Sequence, residues 1–288
     1  MSSSNLLKLP VELLYDIFIY AGSESLPLTC RHIYNVFKSA PTSILAEYLY
    51  TKIPPSQLLH KGLRYPICTQ PVIETMFRNP SIAFHLERSS QRPELPRRLF
   101  RTLDSRPRQV GRKRKAPEEQ WSIDDEPLPF LRYLYGHPQI RRPDPNAWDG
   151  YALTKAVAAG FVPLIQFLTE NGADPSCKGA IAVLVAIRKK DISLVKMLIE
   201  RDGTMSSMEE ANERGAIRQR IGVQQQRQGD SSPRKSKTAK RRKLEDRVRV
   251  NQEMLKTAVR CNARDIVEYL VHEKGCVPDM QTIRMMTQ

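Results

Sequence analysis

The stretch LTKAVAAGFVPLIQFLTENGADP, residues 153–175, decides the fold of this chain. Apolar residues recur at helical spacing on both sides of Gly160, and a second glycine, Gly172, follows the last of them. This pattern is typical of two helices joined by a tight turn, with glycine where a helix ends in a residue of positive φ. The sequence therefore predicts a helix–turn–helix unit here.

The same pattern recurs in VLVAIRKKDISLVKMLIERDG (183–203) and in LKTAVRCNARDIVEYLVHEKG (255–275). In each stretch an alanine stands four residues before the turn; the alanines are Ala156, Ala186 and Ala258, and the turns begin at Gly160, Lys190 and Asn262. PFLRYLYGHP (129–138) matches the second helix of one more unit. Units that bury their apolar faces only against neighbours predict an all-α stack of repeats. An unrelated helical bundle is the alternative.

The stretch AAGFVPLIQFLTENGADP (158–175) resembles the ankyrin repeat pattern A-x-x-G-H-x-x-V-V-x-L-L-L-x-x-G-A-D-x-N. The family's T-P-L-H is replaced by YALT at 151–154, by AVLV at 182–185 and by EMLK at 253–256. The resemblance implies a divergent repeat scaffold that binds proteins and performs no chemistry itself.

Two basic tracts divide the chain into segments. Residues 88–115 carry eleven Lys or Arg against two acidic residues, and residues 218–249 carry twelve against three, so each tract has a net charge of +9. The net charge of the whole chain is +15, which leaves the remainder near −3. Because the stretches 105–120 and 205–250 also have few large apolar residues, we predict two disordered basic inserts.

A compact basic run in the second tract is the candidate nuclear localisation signal. It consists of Lys240, Arg241, Arg242 and Lys243. Such a run in an extended segment fits the acidic groove of a nuclear import receptor, which predicts a nuclear protein with the cytoplasm as a second location. A solvated loop and a phosphate-binding arm for nucleic acid are the alternatives, and RKRK at 112–115 is a second candidate. Ser232 lies in SPRK, which resembles the consensus of cyclin-dependent kinases, and is a candidate phosphorylation site.

The amino-terminal stretch LPVELLYDIF, residues 9–18, predicts an amphipathic helix. Pro10 stands at the helix start, where its missing N–H is harmless, and Glu12 lies near the positive end of the helix dipole. The apolar face comprises Leu9, Leu13, Leu14, Ile17 and Phe18. Two or three short helices cannot enclose so many apolar side chains, so some of them are expected to lie against a partner or the following domain.

This stretch and LPLTCRHI (26–33) resemble the F-box, whose pattern is L-P-x-E-L-L-x-x-I-F followed by L-x-L-V-C-R-x-[FW]. The connecting IYAGSES (19–25) lacks the family's D-P-x-D-L. The resemblance implies contact with the adaptor of an SCF-type ubiquitin ligase through Leu9, Pro10, Leu13, Leu14, Ile17 and Phe18. An ordinary capping helix of the repeat stack is the alternative.

The expected organisation has six segments. They are an F-box-like head (6–45), a helical region with degenerate ankyrin-like helices (46–104), a basic linker (105–120), ankyrin-like repeats (125–204), a basic insert (205–250) and a carboxy-terminal ankyrin-like repeat (251–288). The combination resembles fungal F-box proteins with divergent ankyrin repeats. It implies a substrate receptor that binds the adaptor, through it a cullin, and an unknown protein target. A nuclear ankyrin scaffold and a nucleic-acid-associated protein are the rival functions.

The sequence shows no motif for catalysis, cofactor binding or metal binding. G-x-S-x-G, H-E-x-x-H and G-x-x-x-x-G-K-[ST] are absent, and the five cysteines are far apart and have no metal-ligand spacing. No uninterrupted apolar run is long enough to span a bilayer. We therefore expect a non-enzymatic protein with reduced thiols, no cofactor, no metal and no membrane partner.

Overall fold

The computed structural model describes residues 5–87, 91–105, 121–201 and 246–286. The chain forms two compact units, Met1–Gly172 and Ala173–Gln288. In the described residues the secondary structure is helical, and the only pairing of extended backbone is one isolated bridge between Glu94 and Asp144. The all-α class is therefore confirmed. The boundary between the units falls within the segment 125–204 that the sequence assigned to repeats.

The first unit begins with short helices separated by proline-rich or 3-10 turns. Its helices are α1 (Val11–Ala21), α2 (Arg31–Lys38), α3 (Thr42–Lys52), α4 (Leu58–Gly62), α5 (Gln70–Arg78), α6 (Pro80–Glu87), α7 (Arg98–Arg101), α8 (Leu128–Gly136), α9 (Ala147–Ala159) and α10 (Val162–Glu170). Helix α3 packs against both α1 and α5. It therefore joins the amino-terminal helices to the region that follows.

The core under the amino-terminal helices is aromatic. The ring of Phe18 stacks on the rings of Phe37 and Tyr48, with centroids 4.1 and 4.0 Å apart. These residues come from α1, α2 and α3, and all three are buried. Since offset aromatic stacking adds to the free energy gained by burial, Phe18 fixes α1 against its two neighbours.

The second unit contains two pairs of helices and a terminal helix. They are α11 (Cys177–Arg188) with α12 (Ile192–Ile199), α13 (Gln252–Arg260) with α14 (Arg264–Glu268, continued by a π-helical turn Tyr269–Glu273), and α15 (Met280–Met286). The first helices of the two pairs pack together, and so do the second helices. This is the arrangement expected of stacked repeats, in which each pair covers the apolar face of the next.

Three turns between paired helices have the same backbone geometry. The N–H groups of Phe161, Asp191 and Ala263 donate to the carbonyls of Ala156, Ala186 and Ala258 over 3.0, 3.3 and 3.1 Å. The residue at each turn has positive φ, with 73° at Gly160, 57° at Lys190 and 52° at Asn262. These are Schellman motifs, which satisfy the last carbonyls of a helix. The predicted turn positions are confirmed, and the three alanines are buried.

Replacing Lys190 by glycine is expected to raise the free energy of unfolding of the second unit by about 0.5–1 kcal/mol. A left-handed conformation is unfavourable for a residue with a Cβ, and glycine adopts it without that cost. Urea denaturation followed by circular dichroism measures the change, with Lys190→Ala as the control because alanine retains the Cβ. Equal stability of the two variants would contradict the role given to φ here.

The segment 202–245 lies outside the described residues, and the described residues on either side of it lie close together. The backbone N–H of Arg247 donates to the carbonyl of Ile199 over 2.7 Å. The ammonium of Lys274 lies 3.2 Å from Glu200 and 2.8 Å from Asp246, and the Tyr269 hydroxyl donates to Glu200 over 2.9 Å. Residues 246–250 were assigned to the disordered insert, yet Val248 is buried, so that end of the insert belongs to the fold.

Deleting residues 218–243 is expected to leave the helix pairs folded, with a change in the free energy of unfolding below about 1 kcal/mol. The described residues Glu200 and Asp246, which flank the segment 202–245, both pair with Lys274, and the entropy of loop closure depends only weakly on loop length. Thermal unfolding of the full chain and of the deletion variant measures this. A variant that loses its helical signal at 25 °C would show that the deleted residues support the fold.

Candidate functional site

Helix α1 begins and ends at residues that the sequence pattern explains. Pro10 precedes it with φ −54° and ψ 149°, and Glu12 lies in its first turn. The helix ends at Gly22, whose N–H donates to the carbonyl of Phe18 over 3.2 Å. The predicted helix start is thus confirmed, and the ten-residue stretch 9–18 forms the first turns of a helix on the surface of the first unit.

The six predicted adaptor-binding residues occupy different environments. Leu14 and Phe18 are buried in the core of the unit, and Leu9 and Ile17 are half-buried. Leu13 is 47% exposed, and Pro10 is also exposed. The six residues therefore do not form one accessible surface. Leu14 and Phe18 hold the fold, which leaves Leu13 and its neighbours on the helix for contact with a partner.

The exposed side of α1 carries an apolar stripe that we call the α1 stripe, formed by Leu13, Ile17 and Tyr20. These positions have the spacing i, i+4 and i+7, which places them on one face of a helix. Tyr20 is 87% exposed, more than any other large apolar side chain among the described residues. The sequence interpretation missed Tyr20, although its position seven residues after Leu13 was available as a signal.

The segment after α1 also leaves apolar side chains in solvent. A 3-10 turn spans Leu26–Leu28, and α2 begins at Arg31. Leu28 is 76% exposed and Tyr34 is 45% exposed, whereas Ile33 and Phe37 are buried. The large apolar residues of this segment are therefore divided between the core and the surface.

The loop between α1 and α2 is held by polar contacts. The ammonium of Lys52 lies 3.0 Å from a carboxylate oxygen of Glu24 and donates to the carbonyl of Gly22 over 2.8 Å. The hydroxyl of Tyr65 donates to the same carboxylate over 2.9 Å. The hydrogen bond from Lys52, with a smaller effect of the one from Tyr65, lowers the pKa of the Glu24 carboxyl. The loop therefore has a defined conformation between α1 and α3.

A second exposed apolar surface lies in the second unit, on α15. Met280, Ile283 and Met286 are exposed at the spacing i, i+3 and i+6. On the same helix Thr282 is buried, and its N–H and hydroxyl both donate to Asp279, over 2.7 and 2.6 Å. The last helix of the second unit thus has one face packed and one face open.

Potential metal ligands are dispersed over the described residues. No three His, Cys, Asp or Glu side chains are grouped where they could hold a metal ion in this part of the chain. Burial raises the pKa of the Cys68 thiol to about 12, so it is not a thiolate nucleophile at neutral pH. No described helix is long and apolar enough to cross a membrane. No disulfide joins the five cysteines, all of which lie in the described residues.

Several predicted residues lie outside the described part of the chain. They are the basic run Lys240, Arg241, Arg242 and Lys243, the candidate phosphorylation site Ser232, and the second basic cluster at 112–115. The linker 105–120 is described only at Ser105. The nuclear localisation signal and the phosphorylation site remain predictions from the sequence.

Comparison with protein-family models, with characterised proteins and with solved structures found no match to this chain. The likeness to F-box and ankyrin sequences therefore rests on the motifs in the chain itself. The α1 stripe accompanies the F-box-like motif, and the three equivalent turns accompany the ankyrin-like motifs.

Proposed function

We propose that this chain is a non-catalytic substrate receptor of an SCF-type ubiquitin ligase. The observation that supports the proposal is the α1 stripe. It lies on α1, the helix that contains most of LPVELLYDIF, and Leu13 and Tyr20 remain exposed although many large apolar side chains of the described residues are buried. An exposed apolar patch on a short surface helix is typical of a protein-interaction site.

The amino-terminal helices bind the adaptor in this proposal. Leu14 and Phe18 hold α1 against α2 and α3, while Leu13, Ile17 and Tyr20 contact the adaptor, with Pro10 and Leu9 at the start of the helix. Through the adaptor the chain joins a cullin. The aromatic core under α1 fixes the position of the α1 stripe, which lowers the entropy lost on binding.

The repeats recruit the protein target in this proposal. The candidate binding surfaces are the helix pair α9–α10 of the first unit and the helix pairs of the second unit, and ubiquitin transfer is carried out by other subunits of the ligase. The receptor contributes proximity, which raises the effective concentration of the target at the site of transfer. The chain itself uses no cofactor and no metal.

The basic run 240–243 binds a nuclear import receptor in this proposal, so the target is a nuclear protein or one shared with the cytoplasm. The rival functions, a nuclear ankyrin scaffold and a nucleic-acid-associated protein, need no ligase adaptor. They are therefore separated from the proposal by the composition of the purified complex.

The test is affinity purification of the tagged full chain from cells treated with a proteasome inhibitor. We expect the wild-type chain to recover both adaptor and cullin, and the Leu9→Ala, Pro10→Ala double variant to lose both. A variant with alanine at positions 240–243 is the control, because it should recover the adaptor while leaving the nucleus. A wild-type chain that recovers no cullin would refute the proposal, and steeply salt-dependent binding to duplex DNA or RNA would favour the nucleic-acid alternative.

A further inference from the structure

A basic–aromatic cluster lies on the first unit, away from α1 in the sequence. We use this term for Arg64, Arg97, Trp148, Tyr151 and Lys155. The guanidinium carbons of Arg97 and Arg64 lie 4.6 and 5.4 Å from the centre of the Trp148 ring. Arg97 is also 5.3 Å from the Tyr151 ring, and the Lys155 ammonium is 5.8 Å from it. Trp148 remains 40% exposed.

The cluster joins three segments that are distant in sequence. Arg64 follows α4, Arg97 precedes α7, and Trp148 lies at the start of α9. The residue after Arg97 anchors its segment, because the Arg98 guanidinium donates to the carbonyls of Leu63 and Cys68 over 2.8 and 3.2 Å. The Arg98 side chain therefore links the segment that carries Arg97 to the segment that carries Arg64.

The backbone conformation at Trp148 recurs in the next helix pair, whereas the tryptophan side chain does not. Trp148, Asp149 and Gly150 have φ of 59°, 57° and 71°, and Lys178, Gly179 and Ala180, thirty residues later, have φ of 50°, 68° and 60°. The shared turn therefore does not distinguish the two repeats. What distinguishes the first is a large aromatic side chain at this turn with two arginines over it.

The two arginines differ in their partners. Arg64 lies 3.1 Å from the carboxylate of Glu94, so its charge is partly neutralised. Among the described residues no carboxylate forms an ion pair with Arg97, which instead packs on aromatic rings. A guanidinium held over an aromatic ring by a cation–π contact still has N–H donors that can bind carboxylate or phosphate in a bidentate fashion.

Nucleic acid is less well suited to this surface than an acidic peptide. A nucleobase needs an aromatic face on which to stack, and Arg97 already lies over both Trp148 and Tyr151. Tryptophan, tyrosine and arginine are also the residues that contribute most to binding energy in protein interfaces. The cluster thus has a hydrogen-bonding cation for an anionic side chain and apolar ring edges for the residues next to it.

We propose that the basic–aromatic cluster binds an acidic segment of the protein target, with Arg97 contacting a carboxylate or phosphate and Trp148 packing on the adjacent residue. The inference rests on the proposed function for the statement that the bound peptide belongs to a target. It defines that target by its chemistry, as a protein with an exposed segment rich in Asp and Glu or carrying phosphoserine.

The test uses the full chain and fluorescein-labelled peptides of equal length at physiological salt. The probes are a peptide rich in Asp and Glu, a phosphoserine peptide, a matched Asn and Gln peptide, and a single-stranded DNA of the same net charge. We expect one of the two acidic peptides to bind most tightly, which identifies the source of the anion. Arg97→Gln and Trp148→Ala should each weaken that binding about tenfold or more.

The matched control is Arg101→Gln, which removes the same charge one turn further along the chain from an exposed arginine outside the cluster. It should bind the acidic peptide like the wild type. An equal loss in Arg97→Gln and Arg101→Gln, absence of binding by both acidic peptides, or tighter binding of DNA that depends on Arg97 would each overturn the inference. Adaptor binding by the wild-type chain is measured in parallel. If the wild type binds the acidic peptide but not the adaptor, the proposed function fails and the cluster stands.

Discussion

Replacing Phe18 by alanine is expected to lower the free energy of unfolding of the amino-terminal helices by about 3–5 kcal/mol, the range found when a buried phenylalanine is truncated. Phe18 stacks between Phe37 and Tyr48 and is buried, so the substitution removes contacts with two helices at once. A loss of this size is a large fraction of the stability of a small domain.

Amide hydrogen exchange in the segment 11–52 measures this loss. Tyr20→Ala is the control on the same helix, because Tyr20 is exposed and its truncation should change stability by no more than about 0.5 kcal/mol. If exchange is equally fast in the two variants, Phe18 does not anchor α1 and the assignment of its inner face is wrong.

The Leu13→Asp variant is expected to bind the ligase adaptor about 100-fold less tightly than the wild type, with little change in its own stability. Leu13 is exposed in the free chain, so a carboxylate there costs little until the adaptor covers it. Covering an unpaired charge with apolar surface then costs several kcal/mol, and about 2.8 kcal/mol corresponds to 100-fold.

Val11→Asp is the matched control for this variant. Val11 is 41% exposed on the same helix. It lies two positions before Leu13, which corresponds to a rotation of about 200° around the helix axis, so Val11 points away from the α1 stripe. Its aspartate should leave adaptor binding within about threefold of the wild type. Equal losses in the two variants would show that a negative charge anywhere on α1 is harmful, and that the stripe is not the contact.

The helix pairs could be predicted from the sequence because their signals are local. An alanine four residues before each turn, with apolar residues at helical spacing on both sides, identified the helices around Gly160, Lys190 and Asn262. Each of these features acts within a few residues of the chain. Neither distant packing nor charge was needed to place the turns.

The direction in which α1 faces could not be predicted from its own residues. Its periodicity gives two apolar sides, one with Leu14 and Phe18 and one with Leu13, Ile17 and Tyr20. The choice between them depends on Phe37 and Tyr48, which lie in other helices and supply the stacking partners of Phe18. A face that is buried by distant aromatic residues is not visible in a ten-residue pattern.

Two further features depended on contacts between distant residues. The basic–aromatic cluster brings Arg64, Arg97 and Trp148 together across more than eighty residues. The end of the basic insert was misassigned because DRVRV (246–250) has the charge pattern of the tract before it. Its order comes from the bond between Arg247 and Ile199 and from the pairing of Asp246 with Lys274. Composition alone describes neither.

The central claim is that the α1 stripe binds the ligase adaptor directly. The measurement is isothermal titration of the purified full chain with the purified adaptor subunit, with size-exclusion chromatography to establish stoichiometry. We expect a one-to-one complex with a dissociation constant of about 1 µM or tighter, which Leu13→Asp weakens and Val11→Asp does not. A folded wild-type chain that shows no heat of binding and no co-elution at about 100 µM adaptor would contradict the claim.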